Sequence, residues 1–424
     1  MLKISKHYQL SLDNLTEKPQ LEAIKQKLAT RNQGWLDIDT AIDLEKIEQV
    51  ASKLKNKFQS IVILGIGGSA LGVTATLKAL KHLYTNELAT KTIPKLYILD
   101  NITPEFITET LEAIDLQQTL FIVTTKSGTT PETLAQYFYF RELLNAKIGN
   151  EEAKQHFIFI TDPSKGTLRQ IATTEQIESF EIPSNIGGRF SVLTAVGLVP
   201  MALMGVDIRA MINGFKQAQA DFQTQNTTDN QAFDLAYQQY QNYTEGKRNI
   251  NVLMPYNNKL FSFSDWYRQL LAESIGKAVD LDGNEVHIGI TPVNALGVTD
   301  QHSQVQLYTE GPDDKLFIIL KTKENHPNEQ QQIIKTTDEN FQFINNITFK
   351  KLLDTEMDAT ISALVKYKKP VTEIVIDKLT AESLGYLYMF FMLSVGVLGE
   401  LLNINTYDQP GVELGKILTK ENLI

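Results

Sequence analysis

Residues 120–133 read LFIVTTKSGTTPET. Four apolar, strand-forming residues lead into six hydroxyl residues grouped around one lysine and one glycine. Pro131 suits the first turn of a helix, where its missing amide costs nothing. A buried strand that passes through a glycine turn into a helix is the repeating unit of a parallel sheet covered by helices. Outward from this stretch the same alternation continues, with strands expected near Ser60–Leu64, Lys95–Asp100, Thr119–Thr124, Phe157–Thr161 and Ile177–Ile182. From Ser191 to Lys247 the pattern is helical, and the Gln-rich stretch Phe215–Tyr243 reads as a long exposed helix joining two halves. A second series follows, with strands near Ile250–Met254, Glu285–Ile288, Lys315–Leu320 and Thr372–Ile376, and the apolar segment Ala381–Leu402 reads as a largely buried helix. The expected class is therefore α/β, as two doubly wound parallel-sheet halves with helical connections and a C-terminal helix.

Composition sets limits on function. At 424 residues, 42% apolar and 21% charged, the chain holds material for two packed cores. With no cysteine, disulfides and thiolate catalysis are excluded, and the composition fits a reducing compartment. MLKISKHYQL lacks the apolar core of a signal peptide, and no uninterrupted apolar run of membrane-spanning length stands out, which points to a cytoplasmic address. A net charge of -10 argues against nucleic-acid binding, so an anionic ligand needs a local cluster of donors.

In open α/β sheets ligands bind beyond the carboxyl ends of strands. The first such loop is GIGGSALG, Gly65–Gly72, where Gly65, Gly67 and Ala70 satisfy a dinucleotide fingerprint and Asp100 ends the next strand. Gly68 and Ser69 suit a backbone cradle for an anion equally well, and a tight turn that needs glycine for steric reasons alone is the plainer alternative. In the opening stretch, hydroxyls on Thr125, Ser127, Thr129 and Thr130 can donate to an anion at a helix start. Gly128 allows close approach and Lys126 adds charge. A capping box from Thr130 to Thr133 is the competing explanation, but it leaves the glycine and the remaining hydroxyls unaccounted for. Next, PSNIGGRFS sets Arg189 after two glycines and before a helix expected from Ser191. In DWYRQLLAESIGK, helical spacing puts Gln269, Glu273 and Lys277 on one face, with Glu273 either a general base or the surface ion-pair partner of Lys277. His302 follows an expected cap at Thr299 or Asp300, and YDQPGVELGK forms a turn and a short helix around Lys416.

Taken in order, GIGGSALG, TTKSGTTPET, GGRFS, AESIGK, TDQHSQ and YDQPGVELGK resemble the motifs of the glucose-6-phosphate isomerase family, across residues 65–416. The resemblance implies two flavodoxin-like sugar-isomerase (SIS) domains at 46–205 and 206–403. It adds an N-terminal helical segment at 1–45 and a C-terminal loop and helix at 404–424 that complete the site. It also implies an aldose-ketose isomerase of glycolysis and gluconeogenesis that acts on a sugar phosphate, needs no metal or organic cofactor, and forms a homodimer with shared sites. By the same resemblance Ser69, Thr125, Lys126, Ser127, Thr130 and Gln269 serve the phosphate, Gly68 and Thr129 belong with them to the substrate-binding set, and Gln409 contacts the substrate. Glu273 is implied as the base, Arg189 as the enediolate stabiliser, and His302 and Lys416 as the ring-opening pair. Thr125 stands where the family commonly has serine. A phosphosugar-binding regulatory protein without turnover and a nicotinamide dehydrogenase are the two rival readings; the second leaves the hydroxyl-rich loop without a purpose.

Overall fold

A computed structural model describes residues 2–8, 21–40, 42–90, 92–224, 226 and 229–423. Its strands are β1 (Leu2–Tyr8), β2 (Ser60–Leu64), β3 (Lys95–Leu99), β4 (Thr119–Thr125), β5 (Phe157–Thr161) and β6 (Ser179–Glu181). They continue with β7 (Ile250–Pro255), β8 (Lys277–Val279), β9 (Glu285–Ile288), β10 (Thr291–Asn294), β11 (Lys315–Glu324) and β12 (Val371–Lys378). The first sheet has the order β3-β2-β4-β5-β6 and every pairing in it is parallel. The chain therefore reverses its direction of travel across the sheet between β2 and β4, and the crevice beyond that point is where open α/β sheets take ligands. The loops leaving those two strands are GIGGSALG and TTKSGTT.

The second sheet has the order β1-β12-β11-β7-β10. Its last four strands are parallel, as expected, but β1 closes the edge antiparallel to β12, with Leu2 opposite Ile376. The N-terminal segment is thus not wholly helical: Leu2–Tyr8 is a strand, Leu21–Thr30 and Gly34–Thr40 are helical, and residues 9–20 lie outside the described residues. Glu285–Ile288 is a strand outside the large sheet, paired antiparallel with Lys277–Val279. The edge position in the sheet belongs to β10, whose Pro292 could not sit in a central strand because it has no amide to donate.

Strands buried on both faces send alternate residues to opposite sides. Leu120 and Ile122 of β4 face a central core, while Phe121 and Val123 face an outer one. On the second sheet Ile318 and Leu320 face the same central core, and Phe317 and Ile319 face a separate outer cluster. The two halves therefore share one continuous apolar layer of helices, and each keeps a smaller outer core of its own. The Gln-rich stretch belongs to this layer. It is two helices, Ile208–Thr224 and Gln231–Thr244, which bury Phe215, Phe222 and Phe233 together with Gln238 and Gln239, whose amides bond inside to Thr372 and Tyr267 respectively, so the expected single exposed helix is not found.

The helix Ala381–Leu401 runs through the middle of the layer and begins at a reciprocal capping box between Thr380 and Ser383. It is long and apolar enough to cross a membrane, with a mean hydropathy of 1.6, but 89% of that apolar window is buried inside the protein, as its reading as a largely buried helix implies. It crosses Ile208–Thr224 so closely that a Cβ on Gly214 would overlap the Glu382 carbonyl, and one on Gly385 the Met211 carbonyl. Gly385→Ala is expected to force the two helices apart and to lower stability by about 1–3 kcal/mol. A urea-unfolding midpoint equal to that of the native chain would show that the crossing relaxes freely.

Candidate active site

The two loops at the switch point are built differently. After β4 the chain turns at Gly128, whose φ of +65° is left-handed and favours glycine. The Gly128 amide donates to the Thr125 carbonyl at 3.2 Å, while Thr161 at the end of β5 donates to that same carbonyl at 2.7 Å and holds it still. Three hydroxyls then converge: Thr125 Oγ1 lies 2.6 Å from Thr130 Oγ1 and 3.4 Å from Ser127 Oγ, and Ser127 Oγ lies 3.5 Å from Thr130 Oγ1. Thr129 donates to Ser127 Oγ through both its amide and its hydroxyl, at 3.2 and 3.1 Å. The helix Pro131–Ile148 starts immediately afterwards with Pro131 in its first turn, and Thr130 makes no capping hydrogen bond through its side chain. The capping box is therefore absent. The hydroxyls face one another beside unsatisfied helix-start amides, an arrangement suited to an anion.

The loop after β2 is a short 3-10 turn, Gly67–Ser69. Its Gly68 is backed by the Gly188 peptide, with which any Cβ would collide, and Gln269 Nε2 lies over Gly67. Approach to the backbone at Gly68 is taken by protein, which accounts for the glycine without a dinucleotide. The missing side chain at Gly68 lets the Arg189 segment come close. That segment is a 3-10 turn, Gly188–Phe190, and the following helix starts only at Ala195, capped by Thr194, not at Ser191 as expected.

Arg189 is 3% exposed and uses all five guanidinium protons. Nε donates to Ser274 Oγ at 2.8 Å. Nη1 donates to Glu273 Oε2 at 3.4 Å and Gln409 Oε1 at 3.1 Å, and Nη2 donates to the Thr406 and Asp408 carbonyls at 2.6 and 3.3 Å. Burial lowers its pKa, opposed by the charges of Glu273 and Asp408. Glu273 is held from its other side by Gln269 Nε2, which donates to Oε1 at 3.1 Å. The alternative of a surface ion pair with Lys277 is not realised: Lys277 is buried and its Nζ donates to the Glu273 main-chain carbonyl at 2.9 Å instead. Lys126 Nζ donates to the Ser184 carbonyl at 2.9 Å; its pKa is lowered by burial first, with Asp162 opposing and Arg189 adding to the shift.

Ser69, Thr125, Lys126, Ser127, Thr129 and Thr130 thus stand at the carboxyl edge of the first sheet, and Arg189, Gln269, Glu273 and Gln409 are linked beside them. Ser274 and the Thr406 and Asp408 carbonyls are contacts of Arg189 that sequence reasoning missed. The adjacency of Ser274 to Glu273 was the one available signal. His302 and Lys416 are not brought in. His302 is exposed beyond the carboxyl end of β10, whereas Glu273 closes the helix Phe261–Ile275, which follows β7 and returns toward that strand's start. That helix has 15 residues and spans about 22 Å, so the two groups lie at opposite ends of one sheet. Among the described residues His302 has no side-chain hydrogen bond or ion pair. Lys416 sits on the exposed helix Glu413–Leu423 and pairs with Glu413 at 2.7 Å.

The family profile described as phosphoglucose isomerase matches residues 45–423. The chain belongs to the phosphoglucose isomerase family. Among relatives, the chain is 42% identical to a glucose-6-phosphate isomerase of Carboxydothermus hydrogenoformans, over 89% of this chain and 81% of that one. It is 36% identical to a glucose-6-phosphate isomerase of Campylobacter jejuni, over 91% and 90% respectively. Among solved structures, it matches a hypothetical protein of Thermus thermophilus with a TM-score of 0.84 and 33% identity, covering 95% of this chain and 94% of that one. The hydroxyl cluster and the arginine-carboxylate pair are the candidate site of this family member. Replacing Ser127 and Thr130 together by alanine is expected to weaken competition by inorganic phosphate about 10- to 100-fold while leaving the fold intact, since two loop hydroxyl bonds contribute about 1 kcal/mol each. Unchanged competition would remove the phosphate role from this loop.

Proposed function

We propose that the chain interconverts glucose 6-phosphate and fructose 6-phosphate, with Glu273 as the base that moves the proton between C2 and C1. The observation that carries this is the Glu273 carboxylate held 3.4 Å from the buried Arg189 guanidinium, beside a three-hydroxyl anion cradle. The hydroxyls of Thr125, Ser127 and Thr130, with Ser69, Thr129 and Lys126, hold the phosphate. Binding there is remote from the reacting carbons and keeps the flexible open sugar in register. Ring opening moves a proton from the anomeric hydroxyl to the ring oxygen, the exchange assigned to His302 and Lys416. Glu273 then takes the C2 proton, which the C1 carbonyl acidifies, to give a cis-enediol, and returns it to C1 from the same face. Negative charge grows on oxygen as it does so. Nη1 of Arg189 is the edge that meets it, because its acceptors in the free protein, Glu273 and Gln409, are side chains that can shift, whereas Nη2 is tied to backbone carbonyls.

In this reading residues 46–205 and 206–403 are the two sugar-isomerase domains. A chain without cysteine suits a reducing cytoplasm. The protein is a homodimer: His302, at the far end of the second sheet from its own Glu273, serves the site of the neighbouring subunit. Phosphosugar binding without turnover is the poorer alternative, since it gives the carboxylate beside Arg189 no work to do.

Glu273→Gln is expected to cut kcat by about 100- to 10,000-fold, the range of general-base catalysis, with phosphosugar binding retained. Solvent deuterium should no longer enter C2. Near-native exchange at C2 would strip Glu273 of the role. His302→Ala and Glu273→Gln chains, each nearly inactive, are expected to regain activity when unfolded and refolded together, because a mixed dimer holds one site with both native groups. Heterodimers confirmed by mass that show no regained turnover would sink the shared site.

A further inference from the structure

Lys277 is 9% exposed as a residue, and its ammonium group has three protons and three acceptors. It donates to the Glu273 carbonyl at 2.9 Å and to the Asp408 carbonyl at 2.6 Å, and pairs with Asp408 Oδ1 at 3.1 Å. The first acceptor is the main-chain oxygen of the residue proposed as base, left unsatisfied where the helix Phe261–Ile275 stops and the Gly276 amide turns to Ala272. The second belongs to the residue before Gln409, whose side chain rests on Arg189 Nη1. The Asp408 carboxylate is itself oriented by Asn405 Nδ2, which donates to Oδ2 at 3.0 Å. Burial lowers the Lys277 pKa and the Asp408 carboxylate opposes that shift. A single buried cation therefore joins the end of the base-bearing helix to the segment that follows residue 404. Arg189 grips the same segment through the Thr406 and Asp408 carbonyls, but it is exposed to a change in partners whenever substrate charge reaches Nη1.

We propose that Lys277, with Asp408 as its counter-ion, is a positioning residue that holds segment 405–409 and the Glu273 peptide in fixed relation while Arg189 exchanges Gln409 for the reacting oxygen. It touches no reacting atom. The phosphate cradle lies on another loop, so loss of Lys277 acts on the chemical step and spares ground-state binding. A misplacement of about 1 Å at a reacting centre costs up to about 100-fold in rate.

The inference rests on the isomerase reading, so turnover of glucose 6-phosphate by the native chain is measured first. Its absence would sink that reading, while hydrogen exchange across residues 403–412 still reads the clamp. Lys277→Met is expected to lower kcat about 10- to 100-fold with KM within about twofold of native, and to speed exchange in 403–412. Asp408→Asn keeps the carbonyl contact and should show a smaller loss in the same direction; it serves the same test if the methionine variant does not fold. Because the chain has no cysteine, Lys277→Cys carries a single thiol. Alkylating that thiol in urea with 2-bromoethylamine and refolding rebuilds an ammonium at lysine length, and is expected to restore most of kcat; alkylation with neutral iodoacetamide should not. Folded variants with native kcat, even at a reduced thermal midpoint, would make the contact merely structural and overturn the proposal. So would a loss of kcat with unchanged exchange in 403–412.

Discussion

A guanidinium taken out of water must find an acceptor for each proton, and the site is organised around meeting that demand. Arg189 draws its five acceptors from two distant stretches, Glu273 and Ser274 at a helix end and Thr406, Asp408 and Gln409 beyond the central helix. An unpaired buried cation costs several kcal/mol, so these stretches are held to the arginine as firmly as it is held to them. Four of the five acceptors are neutral oxygens, and the fifth is the carboxylate proposed to do chemistry. The result is a preorganised positive edge that needs no rearrangement of the backbone when charge develops.

The helical layer between the sheets makes that arrangement possible. Because both sheets bury their inner faces against the same helices, the carboxyl edge of the first sheet and the end of the helix after β7 become parts of one rigid wall. Close approach is supplied by missing side chains: Gly68 against Gly188 brings the first loop onto the arginine turn, and Gly214 with Gly385 lets the central helix settle deep enough for the chain after it to reach Arg189. The Trp35, Phe190 and Tyr407 rings pack behind the guanidinium, with Trp35 and Phe190 stacked at 5.1 Å, and close the side of the site away from solvent.

Much of this was legible in the residues because it is local. A buried strand, a glycine turn and a helix start each leave a pattern within a dozen positions, and the strands from Ser60 to Glu181 lie where the apolar runs put them. What escaped depends on distant partners. LKISKHY is too short and too charged to declare itself a strand, and becomes one because β12 offers an edge. TPVN carries a proline that argues against a strand except at an edge. The spacing of Glu273 and Lys277 fits a helical ion pair, yet the ammonium turns to main-chain oxygens because Asp408, 131 positions away, supplies the charge. Backbone carbonyls have no signature in a sequence, and they make up two of Arg189's five partners and two of Lys277's three.

The pairing of Leu2–Tyr8 with Val371–Lys378 bears on how the molecule is made. All strands of the first sheet lie between Ser60 and Glu181, so that sheet can close while the rest of the chain is still being synthesised. The first strand has no such neighbour. It must wait, solvent-exposed, until Val371–Lys378 emerges, and joining the two closes a very long loop, an entropically slow kind of contact. A waiting strand is an invitation to pair with the wrong molecule. Lys3, Lys6 and His7 lie exposed along it, and in the finished sheet Lys6 meets Asp234 and His7 meets Glu373. Before then the same side chains make the strand a charged, unattractive edge for other nascent copies, so the interval before closure is spent in solution and not in aggregates.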